Sequence, residues 1–216
     1  MLRRPLGPQF FPDNGYLQAD VERKFARTKL PLAALIADAI AEASRKEDQR
    51  IDFAIADRSV VQSGFSQVDQ ATLGDWLRII PYVDQIATVS MTGHELLRFF
   101  EDNVGRRLEE GDVEQEKGYC YFSHEIKYKV KQNSPSAPAR LKEVWISDLL
   151  LKDNLDRIFR CAFPSFFRQL AKEWESTVQR PLFNLRNLDI KLLNLFVRDA
   201  VYAYIGTLNS YPTFEH

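Results

Sequence analysis

Asp52-Phe53-Ala54-Ile55-Ala56-Asp57 opens the stretch that decides the fold, and it reads as an alternating apolar strand. A polar loop runs on through Gly64, and a short helix follows, opened by Thr72 with Asp75 three residues on, the spacing of a capping box. Pro81-Tyr82 breaks that helix. Gln85–Met91 is a second alternating strand, and Thr92-Gly93 starts another helix.

Upstream, Leu32, Leu35, Ile36, Ala39, Ile40 and Ala43 recur with helical period from Thr28, with Pro31 tolerated in the first turn. The smooth alanine-rich face predicts a helix lying flat on a sheet. Residues 1–27 hold Pro5, Pro8, Pro12 and Asn14-Gly15 and read as an extended N-terminal arm, leaving 28–216 as a single domain.

Downstream, Leu96, Leu97, Phe100 and Val104 share one helical face. The acidic stretch Glu109–Lys117 reads as a solvated loop before three strands, Tyr119–Phe122, Glu125–Val130 and Leu141–Ile146. Asp153–Asp156 is a turn and Arg157–Ala162 a further strand. Pro164 is expected to open an aromatic-rich helix carrying Phe166, Phe167, Leu170 and Trp174, and a last long helix is expected over Asp189–Leu208, with Leu192, Leu193, Phe196, Ala200 and Tyr204 on its apolar face. Helices interleaved with strands, some of them hairpin-joined, imply an α/β (α+β) domain with a mixed β-sheet covered by helices.

Composition narrows the function. With 216 residues, 45% of them hydrophobic, the chain buries a substantial core, and Lys+Arg 29 against Asp+Glu 30 gives a net charge of -1, so no nucleic-acid partner is expected. No run reaches the ~18–20 apolar residues of a membrane span. Met1-Leu2-Arg3-Arg4-Pro5 has no apolar region behind it, which favours a cytoplasmic location unless the chain is a fragment of an exported protein. Cys120 and Cys161 lie in apolar, strand-like runs and read as two buried thiols, their pairing left open. The histidines are His94, His124 and His216; none pairs at metal-ligand spacing, and none sits in an Asp/Glu cluster along the chain. His94 reads as a surface residue. With 9 Gly, backbone cradles for phosphate are scarce, and no self-contained catalytic centre is visible.

Three segments carry a resemblance. Leu32-Ala33-Ala34-Leu35-Ile36-Ala37-Asp38-Ala39, Thr72-Leu73-Gly74-Asp75-Trp76-Leu77-Arg78-Ile79-Ile80-Pro81-Tyr82 and Val89-Ser90-Met91-Thr92-Gly93-His94-Glu95-Leu96-Leu97 occur in order and at the spacing of motifs in one family. Over roughly Leu30 to Tyr211 the chain resembles the C-terminal domain of the 5′-nucleotidase / UDP-sugar hydrolase / 2′,3′-cyclic phosphodiesterase family. The resemblance implies a nucleotide- or nucleoside-recognition domain, non-catalytic in isolation. It implies no cofactor in this chain, divalent metals being held by a separate metallophosphoesterase domain, upstream or in trans. It places the aromatic pair that sandwiches a base on Tyr82 and Phe166, and the sugar- and phosphate-facing side chains on Asp57, Arg58 and Gln62.

The chain also departs from that pattern. Asp57-Arg58-Ser59-Val60-Val61-Gln62 stands where the family has Asn-Gly-Gly-x-hydrophobic-Arg, Leu170-Ala171-Lys172-Glu173 replaces Gly-Gly-Asp-Gly, and Ser123-His124 replaces Ser-Gly. The alternative is therefore a degenerate domain acting as a structural or protein-interaction module without nucleotide binding. It expects Leu170–Trp174 to fill the slot between the rings.

Overall fold

The computed structural model describes residues 30–57, 60–61, 73–105, 120–131, 140–167 and 189–207. Helices α1 (Leu30–Glu47), α2 (Leu73–Ile79), α3 (Gly93–Gly105) and α4 (Val197–Thr207) accompany strands β1 (Phe53–Asp57), β2 (Gln85–Thr92), β3 (Cys120–Phe122), β4 (Ile126–Lys131), β5 (Arg140–Ile146), β6 (Leu149–Leu150), β7 (Ile158–Pro164) and β8 (Lys191–Phe196). One sheet runs β3-β1-β7-β2-β8 and a second β4-β5-β6. β1 and β7 are parallel, and every other pairing is antiparallel, so the sheet is mixed and helix-covered, an α/β fold.

Every residue of β1 is buried, because both faces of the large sheet are covered. The alternation seen in the sequence is one of size rather than polarity. Phe53 and Ile55 point into one core with Phe159, Cys161, Phe163, Val89 and Met91, where α3 supplies Leu96, Phe99 and Phe100 and the small sheet supplies Ile126, Val144 and Ile146. Ala54, Ala56 and Ala162 point the other way, into the core lined by Leu32, Ile36 and Ile40 of α1 and by Val197, Val201 and Ile205 of α4. Small strand side chains let a helix approach the sheet closely. That is why the alanine-rich face of α1 sits there.

The start of α3 is built in. Thr92 Oγ1 accepts the Glu95 N–H at 3.3 Å while a Glu95 carboxylate oxygen accepts the Thr92 N–H at 2.7 Å, a reciprocal capping box. Gly93 N–H donates to Arg157 O at 2.9 Å, and a Cβ on Gly93 would come 2.7 Å from Leu155 Cα and closer still to the Asn154 carbonyl oxygen. Only glycine lets the helix dock on the turn before β7.

The structure corrects two expectations and bears out a third, that of two buried thiols. The long helix over Asp189–Leu208 is instead a strand, Lys191–Phe196, followed by a helix, Val197–Thr207. Leu192, Leu193 and Phe196 satisfy a helical stripe, but the β2 edge offers a ladder to a strand, and Leu192 is left 61% exposed. Pro164 does not itself open the helix: it closes β7 against Ile86, the chain turns at Ser165 and Phe166, and helical backbone starts at Phe167, the residues beyond it lying outside those described. Cys120 and Cys161 are free and buried; Cys120 lies opposite Asp57 and Cys161 opposite Phe53, on strands that flank β1 from its two sides. Burial pushes the Cys161 thiol well above its ordinary value. The strand Leu149–Leu150, not anticipated, completes the small sheet. The arm over 1–27, Thr28, Thr72 and the stretch Leu170–Trp174 lie outside the described residues, as does the side chain of Asp75.

Candidate functional site

The antiparallel register of β2 and β7 sets Ile86 opposite Pro164. Tyr82, shortly before β2, and Phe166, shortly after β7, therefore meet at one end of the sheet. Their rings lie 6.3 Å apart between centroids with 14° between planes, and both are open to solvent, Tyr82 at 56% and Phe166 at 41%. The neighbouring Phe167 turns inward instead, edge-on to Phe163 at 5.9 Å. A planar ring held between two others needs about 7 Å, two van der Waals contacts. The pair stands slightly closer than that.

Asp84 sets the position of Phe166. Its two carboxylate oxygens each accept the Phe166 N–H at 3.1 Å, and one accepts a short hydrogen bond from the Ser165 hydroxyl. Ser165 N–H donates to Gln85 O at 2.8 Å and Val197 N–H to Asp84 O at 2.9 Å, tying the turn, β2 and α4 together. Burial raises the Asp84 carboxyl above its ordinary value, with the hydrogen bonds from Ser165 and Phe166 opposing. Sequence reasoning missed this residue, since its partners lie 81 and 82 positions away.

Asp57 ends β1 with 1% exposure, opposite Cys120. Arg58 and Gln62 lie outside the described residues. His94 is exposed, 3.9 Å from Asp156.

A second cluster lies elsewhere, where the fold brings a histidine among carboxylates that no spacing along the chain joins. Asp38 of α1 accepts the His124 backbone N–H at 2.7 Å and lies 3.0 Å from its Nδ1, while Nε2 is 3.3 Å from Glu125. One ligand atom from each of the three falls within 4.8 Å of the others. Arg45, however, already places its guanidinium 2.6 Å from Glu125 while donating to the carbonyls of Ile51 and Asp52, both at 3.0 Å. The cation of this corner is an arginine, and the network bolts α1 to the β3–β4 turn. Burial raises the Glu125 carboxyl, but hydrogen bonds from Arg45 and Ser123 together outweigh it and leave it below the ordinary value. Asp38 is raised by burial, which its bonds to His124 offset only in part. Tyr204 is pushed up to about 12, first by burial and then by the charges of Asp38, Glu42 and Glu125. The cluster was invisible along the chain because Asp38 and His124 are 86 residues apart.

Residues 14–176 match the family described as 5′-nucleotidase, C-terminal domain. Among solved structures, the 5′-nucleotidase precursor from Thermus thermophilus is similar at a TM-score of 0.60 and 15% identity, over 82% of this chain and 32% of that one. A putative 5′-nucleotidase from Staphylococcus aureus, solved with alpha-ketoglutarate, is similar at 0.58 and 14%, over 90% and 36%. The Haemophilus influenzae NAD nucleotidase is similar at 0.52 and 16%, over 80% and 30%. The chain thus spans about a third of the length of these proteins. No curated protein matches the sequence.

Proposed function

Because the chain belongs to the 5′-nucleotidase C-terminal domain family, we propose that it is a nucleotide- or nucleoside-recognition domain, non-catalytic by itself, serving hydrolysis carried out in a separate metallophosphoesterase domain. The observation that carries this reading is the exposed, near-parallel pair of Tyr82 and Phe166. A base enters between the rings when they part by about 1 Å, the difference between the observed spacing and two van der Waals contacts. Few packing contacts resist that movement at residues this exposed. Stacking contributes about 1–3 kcal/mol per base and tolerates different bases. Asp84 acts here as a positioning residue, holding the backbone of Phe166 so that its ring stays parallel to Tyr82. Arg58 and Gln62 are assigned to the sugar and phosphate by resemblance, together with Asp57.

The burial of Asp57 favours a second reading, in which the domain keeps the fold and no longer takes the ligand. A carboxylate at 1% exposure reaches a ribose hydroxyl only if the end of β1 moves.

Titration with adenosine, AMP and UMP, followed by calorimetry or tryptophan quenching, separates the two. The recognition reading expects saturable binding, weakened about 5- to 150-fold in Tyr82→Ala or Phe166→Ala, the range that loss of one stacking partner implies. Absence of binding by all three at millimolar ligand would leave the scaffold reading.

A further inference from the structure

We propose that the outward face of the β4-β5-β6 sheet is a docking surface for an anionic phospholipid bilayer. Directly opposed residues of antiparallel strands share a face, so the register assigns it. Lys127 opposes Trp145, Lys129 opposes Glu143 and Lys131 opposes Arg140, whereas the intervening pairs Ile126–Ile146, Tyr128–Val144 and Val130–Leu141 carry the apolar residues of the other face. Two further lysines stand close. Lys142 is the extra residue where the β4–β5 register shifts, and Lys142 and Lys152 both help Lys129 hold the Glu143 carboxyl below its ordinary value. Lys127, Lys129, Lys131, Arg140, Lys142 and Lys152 are all exposed. Among the described residues, β4 and β5 thus gather five cationic residues about the single ladder carboxylate of Glu143, with Lys152 of the following 3-10 segment close enough to act on it, on a chain whose net charge is -1. Asp148 lies off this ladder in the turn after β5, and Asp153 follows Lys152 in the 3-10 segment Leu151–Asp153, so the ladder itself carries the excess of cations.

This is not an ordinary mixed surface. Like charges directly opposite one another destabilise a sheet, and Lys131–Arg140 is such a pair. An anionic partner removes that repulsion. Its character follows from the side chains. Five of the six cations are lysines, compact point charges on flexible stems, and only Arg140 carries the forked donor suited to directed recognition. The one aromatic, Trp145, is half-buried, and the Lys129 ammonium sits 4.8 Å above its ring, so it offers no free stacking platform of the kind single-stranded nucleic acid uses. A planar array of mobile headgroups engages the cations of the ladder together. Each basic residue strengthens attachment to an anionic leaflet about fivefold, and an indole beside them suits the interfacial zone. No helix among the described residues is long and apolar enough to cross a membrane, and the attachment proposed is peripheral.

The test is co-sedimentation of the full chain with phosphatidylcholine vesicles with and without phosphatidylserine, and in parallel its binding to a single-stranded oligonucleotide. Binding to the phosphatidylserine vesicles alone is expected, weakening from about 0.01 M to about 0.15 M salt as the charges are screened. The triple variant Lys127→Glu/Lys131→Glu/Lys142→Glu is expected to bind at least a hundredfold more weakly, at roughly fivefold per charge, with its circular dichroism unchanged and its Tm not lowered, since Lys131→Glu sets an opposite charge against Arg140. Should that variant fail to fold, Glu143→Gln serves instead and is expected to bind more tightly. Equal binding to neutral and anionic vesicles, or no effect of either variant, overturns the proposal. So does tighter binding to the oligonucleotide than to the vesicles, which would assign the face to nucleic acid.

Discussion

The two faces of the central sheet are packed on opposite plans. On one, Phe53, Phe159 and Phe163 meet Phe99, Phe100 and Phe167, and large rings fill the space to α3 and the small sheet. On the other, Ala54, Ala56 and Ala162 leave room for α1, which brings Ala33, Ala37 and Ala41 along with its larger residues, and for α4 beyond it. Both faces are closed, yet each is vulnerable to the opposite error. Removing a side chain from the aromatic face opens a void; adding one to the alanine face forces a helix off the sheet.

The largest effect is therefore expected from Phe53→Ala. Phe53 is fully buried and lies 6.3 Å from the Phe100 ring, so truncation costs transfer energy and leaves a cavity, together about 3–5 kcal/mol. At roughly 2–4 °C per kcal/mol for a chain of this size, Tm should fall by about 10 °C. A fall of only a degree or two would mean that the aromatic face collapses into the gap. Ala162→Leu tests the other plan. It inserts three carbons against α1 and should cost about 1–3 kcal/mol by overpacking. A stabilised Ala162→Leu protein would show that the alanine face holds spare volume, and the contrast between the faces would fail.

This contrast also explains what could be read along the chain. β1, β2, α1 and α3 were legible because each carries its periodicity within itself: Phe53 to Ala56 alternate, and Leu32, Ile36 and Ile40 return every turn. Trp76 and Ile79, which complete the alanine-side core, were recognisable only as parts of a motif. β8 was not legible, because Lys191-Leu192-Leu193-Asn194-Leu195-Phe196 satisfies a helical stripe as well as a strand, and its state is decided by the free edge of β2. For the candidate site, resemblance supplied Tyr82 and Phe166, but nothing local shows that strand register brings them together. Asp84 with Ser165, and Asp38 with His124, are meetings across 81 and 86 residues. Side chains that act on distant backbone leave no spacing to find.

The smallest expected effect is a pH dependence that belongs to the alanine face. Tyr204 of α4 packs against that core and lies near Asp38, Glu42 and Glu125. Burial, and after it those three carboxylates, favour the neutral phenol and raise its pKa from 10.0 to about 12. The folded state therefore holds the phenolic proton more tightly than the unfolded chain does. Stability from this group is fully present below pH 10 and is lost as pH rises from there through about 12. Tyr204→Phe removes the titrating hydroxyl while keeping the ring, so its unfolding midpoint should fall less steeply than that of the wild type over that interval, and the two should run parallel at pH 7–9. Asp38→Asn separates the two causes. It removes one of the three charges and leaves the burial, so it should soften the alkaline slope without abolishing it, whatever it costs in absolute stability through its bonds to His124. If Asp38→Asn flattens the curve as fully as Tyr204→Phe does, charge rather than close packing sets the phenol's behaviour. The tight seat that the small strand side chains give to α1 and α4 would then have no part in it.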